Sequence, residues 1–170
     1  MKTPTFFFLT VLAVNFTMGQ SVKKLKSQLV NNIEAEEMVL IGISDKIWNA
    51  AEIAFQEKIS SQTLITYAKA NGFKVDEGVA SIPTAFVASY GSGNPVIGIL
   101  GEFDALPGIS QKTKPIKEPL INGGAGHGCG HNMFGTASLG AAVAIKKLIE
   151  EGKLTGTVKF FGTPAEEKYF

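Results

Sequence analysis

Between Gly135 and Ala144 the chain places Gly135, Ala137, Gly140, Ala141, Ala142 and Ala144 in one apolar, helix-length segment. Side chains this small let a helix backbone lie close against a sheet, so the segment calls for an α/β architecture. Asn132 is positioned to cap that helix and Gly152 to stop it just beyond Glu150, and Thr157 to Phe161 reads as the strand that follows. Upstream, Phe73 and Val75 begin strand-like sequence, and Ala85 to Tyr90 and Val96 to Gly101 read as two strands around the turn-rich Gly91 to Pro95. From Ser21 to about Lys58 the pattern is helical, with Leu25, Leu29, Ile33 and Val39 to Ile43 recurring near every 3.6 residues. Gly42 and Ser44-Asp45 are expected to split it into two helices. Ser60 or Ser61 is expected to cap a third, which Gly72 closes.

Length and charge narrow the function classes. A chain of 170 residues is about one domain. Its 16 basic residues, all Lys, face 15 acidic ones, and a net charge of +1 leaves no footprint for nucleic acid or an anionic membrane. The lone Cys129 excludes an internal disulfide, so its thiol is packed, reactive or metal-bound. Lys2, the apolar run from Phe6 to Val14 and the small or polar Thr17, Gly19 and Gln20 follow the order of a secretory signal peptide. Residues 1–19 are therefore expected to be a cleaved leader, with residues 20–170 exported to a periplasm or secreted. The apolar core falls short of the roughly 20 residues a spanning helix needs, so no membrane association is expected once the leader is removed.

The richest chemistry lies in Gly126-His127-Gly128-Cys129-Gly130-His131-Asn132. Thiolate and imidazole are strong ligands for zinc-like ions, and flanking glycines let the backbone bend so that both reach one point. A helix starting just after Cys129 is expected to favour its thiolate. Glu166 and Glu167, in the loop after the last strand, can divide labour: one holds a metal while the other moves a proton. Glu102 and Asp104 end another strand two residues apart, on one face. Other readings remain for these residues. The glycine-rich run lacks the Lys-Ser/Thr ending of a phosphate loop, and Cys129 could be a nucleophile with His131 or His127 as its base.

The segments Trp48 to Glu52, Gly101 to Gly108, Gly126 to Asn132 and Gly162 to Glu167 together resemble the successive motifs of the aminoacylase/carboxypeptidase metallohydrolases. Within that superfamily they are most similar to the aminobenzoyl-glutamate utilization protein B type of amidohydrolase. The resemblance implies the N-terminal part of a phosphorylase/hydrolase-like three-layer α/β/α catalytic domain, without the lid or dimerisation domain. It implies a hydrolase using two divalent ions, manganese or zinc, to cleave the amide bond of a small N-acyl or N-aroyl amino acid such as p-aminobenzoyl-glutamate. Cys129, His131 and Glu167 would be metal ligands, Glu166 the general base and acid, and Asp104 an orienting residue.

Relatives in that superfamily continue past the paired glutamates and add further histidine ligands, whereas both histidines here lie upstream. The expectation is a truncated hydrolase with little or no activity, or alternatively a non-catalytic piece that binds metal weakly or serves a structural role. Unpaired sheet edges are expected to favour self-association, including a homo-oligomer.

Overall fold

The computed structural model describes residues 22–168, so the expected leader lies outside the described residues. Helices α1 (Val22–Glu34), α2 (Glu37–Ala50) and α3 (Lys58–Ala70) precede strands β1 (Lys74–Glu77), β2 (Phe86–Ser92) and β3 (Val96–Glu102). Helix α4 (His131–Glu150) and strand β4 (Gly156–Thr163) complete the order. The α/β expectation is met. Among the described residues no helix is long and apolar enough to cross a membrane.

The first two helices divide at Ala35 and Glu36, not at Gly42, which lies inside α2. A glycine within a helix costs about 1 kcal/mol, less than the burial of Ile43 and Ile47 on the same face provides. Neither Ser60 nor Ser61 caps α3. Both are buried in its first turn, and the cap is supplied from outside by Glu52, whose carboxylate accepts hydrogen bonds at 2.9 Å from the Ile59 and Ser60 amides and from Ser60 Oγ. Gly72 closes the helix as expected, at φ +79°. Asn132 likewise does not cap α4: Gly130 holds that place at φ +83°, and the Asn132 amide instead donates to Ser44 Oγ at 2.9 Å, tying α4 to α2.

The sheet runs β1-β2-β4-β3, so β2 and β3, although consecutive, are separated by β4. β4 pairs antiparallel with β2 and parallel with β3, where Glu102 sits beside Thr163. β3, α4 and β4 thus form a parallel crossover unit, and both strands end at the same edge of the sheet as the start of α4. The small residues do what their size suggests. A Cβ on Gly135 would stand 2.6 Å from the Glu102 carbonyl, and one on Gly101 would stand 3.1 Å from the Gly135 Cα. The helical face of the sheet encloses one core of Ile47, Leu64, Phe86, Phe103, Leu139 and Phe160, all fully buried. Phe86 stacks at tilted angles with Phe160 and Phe103, at centroid distances of 5.6 and 6.2 Å.

The long connection from Pro107 to Gly130 contains no helix or strand, as its composition predicts, but it is not loose. Leu106 and Gly126 exchange both backbone hydrogen bonds at 3.0 and 2.9 Å, and the Ser110 amide donates to the Gly124 carbonyl at 2.8 Å. The loop is thereby folded back, and it returns residues 126–130 to the end of β3.

Candidate functional site

His131 is the centre around which the chemistry-bearing residues gather. It is the first residue of α4, with a side chain only 8% exposed. Its Nδ1 lies 3.0 Å from Asp104 Oδ1 and 3.1 Å from the Asp104 carbonyl, so the Nδ1 proton is donated there and Nε2 faces the other carboxylates. Nε2 is 3.0 Å from Glu102 Oε2 and 3.8 Å from both Glu166 Oε2 and Glu167 Oε1. Asp104 is itself buried, and its second oxygen accepts the Glu167 amide at 2.8 Å. One side chain therefore sets both the tautomer of His131 and the backbone that carries the paired glutamates.

Two overlapping groups emerge. Ligand-capable atoms of Cys129, His131 and Glu167 lie within 4.8 Å of one another, and so do those of Glu102, His131 and Glu166. Glu167 Oε1 is buried with no hydrogen-bond partner, a costly arrangement that a cation would relieve. Four carboxylates around one imidazole leave an excess of negative charge in the same place. The donor set of sulfur, nitrogen and oxygen suits a zinc-like ion. On these grounds the residues fit a divalent cation.

The electrostatics correct one expectation. The Cys129 thiol is pushed up, not down: its hydrogen bond with Glu167 holds the proton, and the charges of Glu167, Glu166 and Asp104 add to the effect. The carboxylate cluster outweighs the helix terminus. Glu102 is also raised, first by desolvation and then by Glu166, Asp104 and Glu167, with His131 opposing. His127, the other candidate base, stands outside both groups. Its Nε2 donates to the Ile47 carbonyl at 3.1 Å, and burial lowers its pKa.

Of the residues singled out in the sequence, Glu102, Asp104, Cys129, His131, Glu166 and Glu167 meet at this edge, and His127 does not. Sequence reasoning gave no role to Glu57, a fully buried carboxylate that reaches the paired-glutamate loop. No local signal could have found it, because its partner Ala165 is 108 residues away.

Residues 98–169, the span from β3 to the paired glutamates, match the model of peptidase family M20/M25/M40. The chain is 45% identical over 136 residues to a p-aminobenzoyl-glutamate hydrolase subunit of Escherichia coli strain K12, covering 79% of this chain and 28% of that protein. Over this stretch the chain is similar to the M20 family. Solved structures agree. A dinuclear metal-binding M20 peptidase from Bacillus subtilis superimposes with a TM-score of 0.66 at 27% identity, over 79% of this chain and 36% of the other. A candidate aminohydrolase from methicillin-resistant Staphylococcus aureus gives 0.69 at 26% identity, over 84% and 36%. The chain thus spans about a third of the length of the M20 relatives it matches. The matched span runs from within β3 through α4 and β4, so the M20 likeness falls on the elements that carry the site.

Proposed function

We propose that this chain carries part of the active site of a metal-dependent amidohydrolase, acting on the amide bond of a small N-acyl or N-aroyl amino acid of the p-aminobenzoyl-glutamate type. The observation that carries the reading is the grouping of Cys129, His131 and Glu167, with the buried Glu167 Oε1 left without a hydrogen-bond partner. The 45% identity to a hydrolase subunit of that name supports the substrate class, and the dinuclear metal binding of the Bacillus subtilis peptidase supports a pair of metal ions, for which the sulfur, nitrogen and oxygen donors here suit a divalent ion, manganese or zinc.

Cys129, His131 and Glu167 would hold the metal. A divalent ion, when bound, supplies Lewis acidity that activates water and polarises a carbonyl. The protein's own part follows from the geometry. Asp104 fixes the Nδ1 proton of His131 and so turns the Nε2 lone pair toward the cluster. Glu166, half-exposed and 3.8 Å from that nitrogen, can take a proton from the attacking water. As the C–N bond breaks, Glu166 returns the proton to the leaving nitrogen.

The test is a titration of the purified chain with zinc and manganese, followed by an assay for p-aminobenzoate release from p-aminobenzoyl-glutamate. Binding that is lost in Cys129→Ala, with turnover lost in Glu166→Gln at unchanged metal content, is expected. Failure to bind either ion removes the reading. Each group brings three ligand atoms together, one fewer than zinc usually takes. That shortfall favours a second reading, a metal-holding unit without turnover of its own, which bound metal without product would support. Cys129 acting as a nucleophile would instead show turnover that survives chelation and is stopped by iodoacetamide. Export belongs to the same proposal, and a mature N-terminus at Gln20 in a secreted fraction is its test.

A further inference from the structure

Glu57 is 0% exposed although it stands at the start of α3. Its Oε1 accepts two amide hydrogens at 2.9 Å, from Phe55 and from Ala165, and Oε2 accepts Thr84 Oγ1 at 3.0 Å. Phe55 and Ala165 both have φ +64°, a left-handed conformation that residues with a Cβ rarely adopt. One buried oxygen therefore holds two such residues. A carboxylate in this position is a poor choice for packing alone, since desolvation is costly enough to raise its pKa despite its hydrogen bonds.

The second of those residues leads directly into the site. Glu166 and Glu167 follow Ala165, and the Glu167 amide is held by Asp104 Oδ2 at 2.8 Å. Two buried carboxylates thus grip alternate amides of one turn, one from the start of α3 and one from the end of β3. We propose that Glu57 is a positioning residue: by holding Ala165 left-handed, it aims Glu166 and Glu167 at His131. The inference rests on the reading of Glu166 and Glu167 as the working pair, and it concerns how they are placed.

The test uses the full chain, first without metal, with backbone amides followed by NMR. Glu57→Asp withdraws the carboxylate by one methylene. The amides of Ala165, Glu166 and Glu167 should then shift and the Ala165 amide should lose its exchange protection, while Leu64 and Tyr67 in α3 keep theirs. Glu57→Gln, which retains an acceptor oxygen at the same reach, should leave the loop in place. In a zinc titration Glu57→Asp should weaken binding by about tenfold or more. Adding Ala165→Gly, which makes the left-handed turn easy without a clamp, should recover most of that loss. A folded Glu57→Asp protein with residues 164–167 unmoved overturns the proposal, as does a zinc defect that Ala165→Gly does not relieve. If Glu57→Asp does not fold, the Ala165 amide of the unaltered chain decides: protection supports the clamp and exchange at the unprotected rate removes it. If the unaltered chain binds no zinc, the metal reading fails, and the amide measurements still decide the role of Glu57.

Discussion

Two loops deliver side chains to His131, and they are shaped in opposite ways. Residues 126–130 fit because side chains are missing. A Cβ on Gly126 would stand 2.6 Å from the Ile109 carbonyl, one on Gly128 would stand 2.4 Å from Ile109 Cδ1, and Gly130 turns at φ +83°. Residues 163–167 contain no glycine. Their turn passes through Ala165 at φ +64° and is held by remote acceptors, Glu57 and Asp104. The first loop encodes its shape locally and the second borrows it from elsewhere in the chain. Mutations should therefore act on the first through sterics at the altered residue and on the second through partners far away in sequence.

The largest expected effect falls on the borrowed side. Asp104→Ala removes the carboxylate that holds both His131 Nδ1 and the Glu167 amide, leaving Nδ1 only the backbone carbonyl of residue 104, and zinc affinity measured by calorimetry should fall by about a hundredfold, the upper end for such orienting partners. An effect below about threefold would mean that the second loop does not depend on that acceptor. Gly126→Ala should lower unfolding free energy by about 1–3 kcal/mol in a denaturant titration, because the backbone of Ile109 must move. Gly130→Ala, strained at its left-handed φ, should cost about 1–2 kcal/mol. If either glycine variant is neutral, the claim of local encoding fails at that residue. Ala165→Gly should go the other way and stabilise by about 0.5 kcal/mol, as relief of the turn outweighs the added chain entropy.

The smallest effect is a pH dependence. Burial raises the folded pKa of Glu57 above its ordinary 4.5, whereas the unfolded value stays there. Between the two the folded state binds the extra proton, so this group's contribution is fullest below 4.5 and is lost as pH rises through the folded value. Glu57→Gln does not titrate. The stability advantage of the unaltered chain over that variant should shrink as pH rises above 4.5, and a constant difference would contradict the assignment.

The same contrast explains what can be read from the sequence. The small-residue helix and the strands on either side of it are legible because each depends on patterns within a few residues, whereas the joint role of Cys129, His131, Glu166 and Glu167 is legible through the order of motifs that resembles a known superfamily. The helix starts are not. Ser60, Ser61 and Asn132 are good caps in isolation, but Glu52 and Gly130 take those places, and the displaced side chains are used in packing: Ser61 Oγ donates to the Thr84 carbonyl at 2.8 Å and Asn132 to Ser44. The acidity of Cys129 escapes a local reading for a similar reason. The dipole of α4 is visible in the sequence, while the carboxylates that overrule it arrive from β3 and from the loop after β4.

The double grip of Asp104 also bears on the order of folding. It joins its own strand end to α4 across 27 residues and to the loop after β4 across 63, so the cluster closes only when β4 has docked beside β3 with Glu102 next to Thr163. Contacts of such sequence separation form late, because the entropy of closing the loops must be met before they are rewarded. A chain caught before that step carries every ligand-capable residue and none of the arrangement. Whatever grips the finished cluster acts as a latch on the strand order, favouring the correctly registered sheet over every earlier form of the chain.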